Sequence, residues 1–246
     1  PVTEVLALIG SKEGSLHLSL AFVNPGDYAL VPNPCYTPYR TSTILANGFV
    51  YDLPLLEANS FLPQLGKVPR EVAKKAKILY LSYPNNPTTA VAEKDFYKEA
   101  VDFAKDNGII VCSDNPYSEI AFDGYKPLSF LEVPGAKEVG VEFNSLSKPY
   151  NMTGWRIGMA VGSPEIISAM ATVKNNVDSG VFNAVQYAAI TALLQTPDSD
   201  IDALNRVYQK RRDLAYEALT SVGVKVRKPK ATFYMWCKTP NGYTCA

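Results

Sequence analysis

The sequence predicts an α/β fold in which helices cover both faces of a mostly parallel sheet. This prediction rests on short apolar runs of strand length that alternate with amphipathic helical segments, a pattern typical of buried parallel strands. The composition agrees, because 47% of the 246 residues are hydrophobic and 20% are charged, as in globular proteins. This length allows one large domain and part of another.

Seven apolar runs are predicted to be strands, at residues 5–9, 28–31, 49–53, 78–82, 109–112, 140–144 and 157–161. The clearest helix is predicted at residues 93–106, where apolar side chains recur at helical spacing and Gly108 follows in the C-cap region. Further helices are expected at residues 69–77 and from Pro164 past Lys174. Residues 1–200 therefore form a three-layer α/β/α domain with a seven-stranded sheet.

The remaining residues are interpreted as the start of a second unit. From about Ile201 a charged helical stretch leads to strand candidates at 224–226 and 232–236. Residues 201–246 are thus expected to be a linking helix and the beginning of a small α+β domain. Because the chain has no initiator Met and opens almost at once on a strand-like run, we also expect it to start inside a longer protein.

Charge and residue counts exclude several classes of protein. Lys plus Arg and Asp plus Glu both number 24, so no net field attracts nucleic acid or an anionic membrane. No apolar run reaches the ~18 residues of a membrane helix, and no signal peptide is visible, so a cytoplasmic protein is expected. The four cysteines lack CxxC spacing, which excludes a zinc ribbon and a redox pair. The chain has one histidine, His17, so a His-rich metal site is excluded, and His17 is interpreted as structural.

The most informative segment is residues 145–158, Ser-Leu-Ser-Lys-Pro-Tyr-Asn-Met-Thr-Gly-Trp-Arg-Ile-Gly, directly after a predicted strand. Ser145, Ser147 and Arg156 supply the hydroxyl and guanidinium donors that a phosphate dianion needs. The segment resembles the lysine signature of class I and II aminotransferases of fold type I, which use pyridoxal 5'-phosphate (PLP). The resemblance implies that Lys148 holds the cofactor covalently and, once released, moves the Cα proton of the substrate.

Two more segments fit the same family. Asp114 follows a predicted strand, where the family places the carboxylate partner of the cofactor's ring nitrogen. Tyr117 matches the family tyrosine that hydrogen-bonds the phenolic oxygen. Asn86 lies in residues 82–88, which resemble the family's Asn-Pro-Thr-Gly element. In the family, the asparagine of this element also binds the phenolic oxygen of the cofactor. Thr89 stands where the family has glycine, a departure that affects the turn.

Two segments near the start complete the predicted site. Residues 10–14 lie between a strand and a helix, where free backbone N–H groups hold anions, and the resemblance assigns Ser11 and Lys12 to the cofactor phosphate. Tyr36 matches the family's aromatic residue that stacks on the cofactor ring. Because open parallel sheets bind ligands at the carboxyl ends of their strands, all these junctions should converge on one edge. Lys148, Asp114 and Tyr117 are predicted to be catalytic.

The resemblance implies amino-group transfer between an amino acid and a 2-oxo acid such as 2-oxoglutarate, in a homodimer with active sites near the interface. Residues 121–127 and 175–186 most resemble bacterial LL-diaminopimelate aminotransferases, although aspartate and alanine remain alternative donors. A carbon–sulfur lyase or a cyclising synthase on the same fold uses the same Lys, Asp and Arg. A PLP-sensing regulatory domain attached to a DNA-binding module is a non-enzymatic alternative. The arginine that binds the substrate carboxylate is expected beyond Ala246.

Overall fold

The computed structural model describes residues 1–244. One seven-stranded sheet runs through it, in the order β1-β7-β6-β5-β4-β2-β3. The strands are β1 (Val5–Leu8), β2 (Tyr28–Asn33), β3 (Phe49–Pro54), β4 (Ala76–Leu81), β5 (Ile110–Asp114), β6 (Gly140–Ser145) and β7 (Gly158–Gly162). All seven strands predicted for residues 1–200 are present within a few residues of their expected positions.

The sheet is mostly parallel, as expected. The neighbouring pairs β2–β3, β2–β4, β4–β5 and β5–β6 are parallel. Only β7 runs the other way, antiparallel to both β6 and β1. The carboxyl ends of β1 and of all the other strands except β7 therefore lie at one edge of the sheet.

Helices cover both faces. The helices are α1 (Ser11–Phe22), α2 (Pro38–Leu45), α3 (Arg70–Ala73), α4 (Lys94–Asn107), α5 (Ala136–Val139), α6 (Pro164–Val177), α7 (Asn183–Gln195) and α8 (Asp198–Ser221). Apolar residues of α1, α2 and α6 pack on one face of the sheet, and those of α3, α4 and α5 pack on the other. The predicted three-layer α/β/α architecture is confirmed.

The interior strand β4 shows why the sequence folds this way. Ile78 and Tyr80 belong to the core on the α1 side, whereas Leu79 and Leu81 belong to the core on the α4 side. All four side chains are completely buried. Since successive side chains of a strand point to opposite faces, a continuous apolar run satisfies both cores at once.

Two local predictions are wrong. The helix expected at 69–77 is only the short α3, because Ala76 pairs with Tyr28 and the Tyr28 N–H donates to the Lys75 carbonyl, so the sheet takes these residues. The strand candidates 224–226 and 232–236 form only the isolated bridge Val226–Cys237, next to a second bridge at Ala231. Thr232 adopts a left-handed backbone with φ of 69°, which interrupts an extended run.

Helix α8 is joined to the sheet domain through a buried arginine. Arg212 donates to both carboxylate oxygens of Asp123, at 2.7 and 3.1 Å, and to the carbonyl of Pro229 at 2.9 Å. Among the described residues, Cys35, Cys112 and Cys237 are free thiols, and Cys245 lies outside the described residues. In the part of the chain that the structure describes, no helix is long and apolar enough to cross a membrane.

Candidate active site

A cavity of about 500 Å³ opens at the carboxyl edge of the sheet. All of the residues that the sequence assigned to the site line this cavity: Ser11, Lys12, Tyr36, Asn86, Asp114, Tyr117, Ser145, Ser147, Lys148 and Arg156. The sequence interpretation missed five further lining residues, Tyr39, Ser82, Pro116, Thr153 and Tyr234.

Strand ends bring these side chains together. Asp114 is the last residue of β5, Ser145 is the last residue of β6, and Ser11 begins the helix that follows β1. These strands all end at the same edge, although their residues are far apart in the sequence. The topology therefore converts separate sequence motifs into one site, as is general for open parallel sheets.

An anion-binding corner forms where α1 begins. Gly10 has φ of 78°, and a Cβ atom there would collide with the Arg156 guanidinium. A Cβ on Gly158 would lie only 3.0 Å from the Ser11 nitrogen. The two glycines thus let Arg156 approach the N-terminus of α1. The Arg156 guanidinium is also held by its own loop, because its Nη1 donates to the Thr153 carbonyl at 2.9 Å. Free helix N–H groups beside a guanidinium favour a phosphate group.

Lys148 stands next to this corner. Burial and then the positive charge of Arg156 lower the pKa of the Lys148 ammonium below its ordinary value. Its Nζ lies 5.4 Å from the centroid of the Phe233 ring. Burial and the Arg156 charge both favour the neutral amine of Lys148, which is the form that attacks a carbonyl carbon and accepts a proton.

Asp114 has an unusual arrangement of hydrogen bonds. Its side chain is 4% exposed, and its Oδ2 accepts a hydrogen bond of 2.5 Å from the Tyr39 hydroxyl. Its Oδ1 is buried without a hydrogen-bond partner among the described residues. Burial raises the pKa of Asp114 to about 6, the Tyr39 hydrogen bond opposes this shift, and the charge of Glu142 adds to it. A buried acceptor without a donor suits a ligand that carries an N–H group.

Three further lining residues are tyrosines. The hydroxyls of Tyr117 and Tyr234 are 2.6 Å apart. Burial raises the pKa of Tyr117 above its ordinary value, so its hydroxyl stays protonated and can donate. Tyr36 lies beside Lys12, whose Nζ is 5.9 Å from the ring centroid.

The missed residues differ in how visible they are in the sequence. Tyr39 follows Tyr36 by three positions, on the first turn of α2, and this spacing was a usable signal for a second tyrosine near the site. Tyr234 meets Tyr117 across 117 positions of sequence, for which no local pattern exists.

The residues present fit PLP. The cofactor carries a phosphate dianion, an aldehyde and a ring nitrogen that works best when protonated. The cavity offers a cationic helix N-terminus, an amine with a lowered pKa and a buried carboxylate oxygen without a donor. Each chemical group of PLP thus has a counterpart of the right charge.

Comparison with known proteins gives a consistent result. A family model described as aminotransferase class I and II matches residues 1–242. The LL-diaminopimelate aminotransferase of Moorella thermoacetica is 55% identical over all of this chain, and that of Aquifex aeolicus is 53% identical. The chain spans 63% of the length of these two relatives.

Solved structures agree. Substrate-bound BacF from Bacillus subtilis superposes with a TM-score of 0.94 at 42% identity, covering 99% of this chain and 62% of that one. A probable N-succinyldiaminopimelate aminotransferase from Thermus thermophilus gives 0.91 at 40% identity, covering 98% and 64%. The expected fold class and the expected cofactor, PLP, are confirmed by these matches. The chain belongs to the class I and II aminotransferase family.

Proposed function

We propose that this protein is a PLP-dependent aminotransferase that passes an amino group between an amino acid and a 2-oxo acid. The observation that carries the proposal is one cavity that unites Lys148, the half-paired carboxylate of Asp114 and the anion-binding corner at Arg156. The amino-acid donor that we favour is LL-diaminopimelate, and the acceptor is 2-oxoglutarate.

Each lining residue that the sequence assigned to the site has a proposed role. The phosphate is held by the N-terminus of α1 and by side chains with hydroxyl or guanidinium donors, with Lys12 acting mainly through its backbone. Tyr36 stacks on the ring, Asn86 and Tyr117 donate to the phenolic oxygen, and Asp114 accepts from the ring nitrogen. The phosphate ligands are Ser11, Ser145, Ser147 and Arg156.

PLP, when bound, supplies an electron-withdrawing ring that stabilises negative charge at the α carbon of the amino acid. Lys148 holds the cofactor covalently and, when displaced by the substrate, takes the α proton on its amine. The lowered pKa of Lys148 supports this role, because a larger fraction of neutral amine is ready to accept the proton. Asp114, as a carboxylate, keeps the ring nitrogen protonated. An unprotonated ring would withdraw electron density less strongly from the α carbon.

The substrate proposal rests on the relatives. Those from Moorella and Aquifex are both named LL-diaminopimelate aminotransferase and are more than half identical to this chain. Structures of nearly the same shape carry other names, namely BacF and N-succinyldiaminopimelate aminotransferase, at 40 to 42% identity. Aspartate and alanine therefore stay in the donor panel, and a carbon–sulfur lyase stays the alternative reaction.

We further propose a cytoplasmic homodimer in which residues 1–200 form the cofactor domain and 201–246 begin a small domain. Exposed apolar side chains on and before α7 support an interface, since Phe182, Tyr187 and Leu194 are 75%, 71% and 79% exposed. Burying such residues against another surface is the usual use of a patch of this kind.

The experiment is a half-reaction panel. The PLP-loaded protein is mixed with LL-diaminopimelate, aspartate, alanine and glutamate in turn, and the absorbance band of the bound cofactor is followed without any 2-oxo acid. An aminotransferase loses the band with its true donor and regains it when 2-oxoglutarate is added. Release of pyruvate and ammonia from a sulfur-containing amino acid would instead establish a lyase. A band that no amino acid changes, in a protein shown to bind PLP, would contradict the proposal.

A further inference from the structure

Tyr39 is the side chain that hydrogen-bonds Asp114. It lies on α2, is 1% exposed, and donates to Asp114 Oδ2 at 2.5 Å. The Tyr80 ring stacks on the Tyr39 ring with centroids 4.8 Å apart and planes 11° apart. The Tyr80 hydroxyl lies 2.8 Å from Ser19 Oγ, within hydrogen-bond distance. The Tyr39 ring is therefore packed against a second buried, hydrogen-bonded ring.

The Tyr39 hydroxyl is the donor in this pair. Burial, and next the negative charge of Asp114, raise the pKa of the Tyr39 hydroxyl well above its ordinary value. The phenol thus stays protonated and donates its hydrogen to the carboxylate. One Asp114 oxygen is occupied by this bond, and the other remains a free acceptor in the buried wall of the cavity.

We propose that Tyr39 is a positioning residue for the cofactor: it binds one oxygen of Asp114 and thereby presents the other, as a carboxylate, to the ring nitrogen. The proposal rests on the PLP site described above and adds a residue that acts through Asp114 rather than on the cofactor itself. A hydrogen bond to a charged group is among the stronger ones in proteins, so one well-placed donor is sufficient to fix the carboxylate plane.

Other groups around Asp114 oppose its ionisation. Glu142 on β6 raises the pKa of Asp114 through its negative charge. Cys112 on β5 and Tyr80 on β4 lie close enough for charge coupling with Asp114, as do Tyr36 and Tyr117 in the cavity. Among the described residues only Tyr39 donates a side-chain hydrogen bond to Asp114. Without it, burial and Glu142 act unopposed, and the pKa of Asp114 rises above about 6 towards neutrality.

The first experiment needs no cofactor. Aspartate carboxyl carbons are labelled with ¹³C, the Asp114 signal is assigned by its loss in Asp114→Asn, and its chemical shift is followed against pH. Tyr39→Phe should raise the midpoint by one to two pH units, the size expected for losing a hydrogen bond to a charged group. Tyr80→Phe is the matched control, since it removes a buried hydroxyl from the adjacent ring, and it should leave the midpoint unchanged.

The second experiment measures PLP affinity in the same proteins from pH 6 to pH 9. Tyr39→Phe should bind PLP at least tenfold more weakly near pH 7 and recover towards wild-type affinity at pH 9, where Asp114 ionises again. Tyr39→His retains an N–H donor, so its PLP affinity near pH 7 should lie between those of wild type and Tyr39→Phe. It also serves as the test variant if Tyr39→Phe does not fold.

An unchanged Asp114 midpoint in Tyr39→Phe would overturn the proposal. So would a raised midpoint with PLP affinity equal to wild type at every pH. Failure of the proposed function would look different, because the wild-type protein would then show no half-reaction with any amino donor, whatever the carboxyl titration showed.

Discussion

Two buried carboxylates on neighbouring strands, Glu142 on β6 and Asp114 on β5, are treated in opposite ways. Both are at most 4% exposed. Glu142 accepts hydrogen bonds from the Ser129 hydroxyl and the Phe130 N–H, both at 2.9 Å, and from three further side chains, Ser113, Asn115 and Asn144. Asp114 accepts one side-chain bond and keeps the other oxygen bare. Satisfied acceptors stabilise a fold, whereas a bare buried acceptor is available to a ligand.

The two carboxylates are also connected. Ser113 and Asn115, which flank Asp114 on either side, both donate to Glu142. Glu142 therefore fixes the strand end from which Asp114 projects. In this comparison, Glu142 supplies the rigid frame, and Asp114 is left with unused bonding capacity within that frame.

The largest effect should come from Asp114→Asn. A neutral amide cannot hold a proton on the ring nitrogen, so the half-reaction with the true amino donor should slow by about 10²- to 10³-fold, the usual cost of removing one preorganised electrostatic partner. PLP should still bind through Lys148 and the phosphate corner, although at least tenfold more weakly than in wild type near pH 7. Stopped-flow absorbance with a saturating amino donor measures the rate. A rate within threefold of wild type would show that Asp114 does not serve the ring nitrogen.

The converse change is Glu142→Ala, which should act on folding. Five donors lose their acceptor, and leaving several buried donors unsatisfied should lower the free energy of unfolding by about 3 kcal/mol. Urea unfolding of the cofactor-free protein measures this, with Glu142→Gln as a control that keeps part of the acceptor capacity and should lose less. A loss below about 1 kcal/mol for Glu142→Ala would mean that the donors find other partners.

The pH dependence of stability should distinguish Asp114 from an ordinary paired carboxylate. Its pKa is raised from 3.8 to about 6 in the folded protein. Below about pH 4 the carboxyl group is protonated in both states. Between about pH 4 and pH 6 the unfolded chain releases this proton while the folded protein keeps it, so the folded protein loses stability; above about pH 6 both states are ionised and the loss levels off. The free energies of unfolding of wild type and Asp114→Asn should therefore diverge from pH 4 to pH 6 by up to about 3 kcal/mol in favour of the variant, and run parallel above that. Curves that are parallel over the whole range would remove the basis for a raised pKa.

An exposed ion pair gives the lower end of the comparison. Lys105 and Glu138 are 2.7 Å apart, with side chains 41% and 70% exposed. Because water screens such pairs, Lys105→Ala should change the free energy of unfolding by less than about 1 kcal/mol, and added salt should reduce even that. Urea unfolding at low and high salt tests this. A larger effect would show that an exposed ion pair can contribute as much as a buried, hydrogen-bonded carboxylate.

The sequence was sufficient to predict the sheet and ten of the fifteen residues that line the cavity. Most strands are largely apolar runs, and each site motif lies next to a strand, so local pattern and topology agree. The two wrong elements lie where tertiary contacts decide. Lys75 is drawn into sheet pairing with Tyr28, and Thr232 turns with a positive φ instead of continuing a strand.

The contrast between the two carboxylates was not predictable. Glu142 looks like one more charged residue in a strand, and only the structure reveals the donors that gather around it. Tyr39 and Asp114 are separated by 75 positions. The bare Oδ1 of Asp114 depends on which neighbours fail to reach it, and sequence spacing carries no information about that.

The central claim is that Lys148 is the residue that holds PLP in this cavity. A second lysine, Lys12, also lines the cavity and is the alternative attachment point. Reducing the PLP-loaded protein with borohydride, digesting it and sequencing the labelled peptide tests this claim directly. The pyridoxyl group should be found on Lys148, it should disappear in Lys148→Ala, and Lys12→Ala should keep it. A label on Lys12 or on any other lysine in the wild-type protein would contradict the assignment of this site.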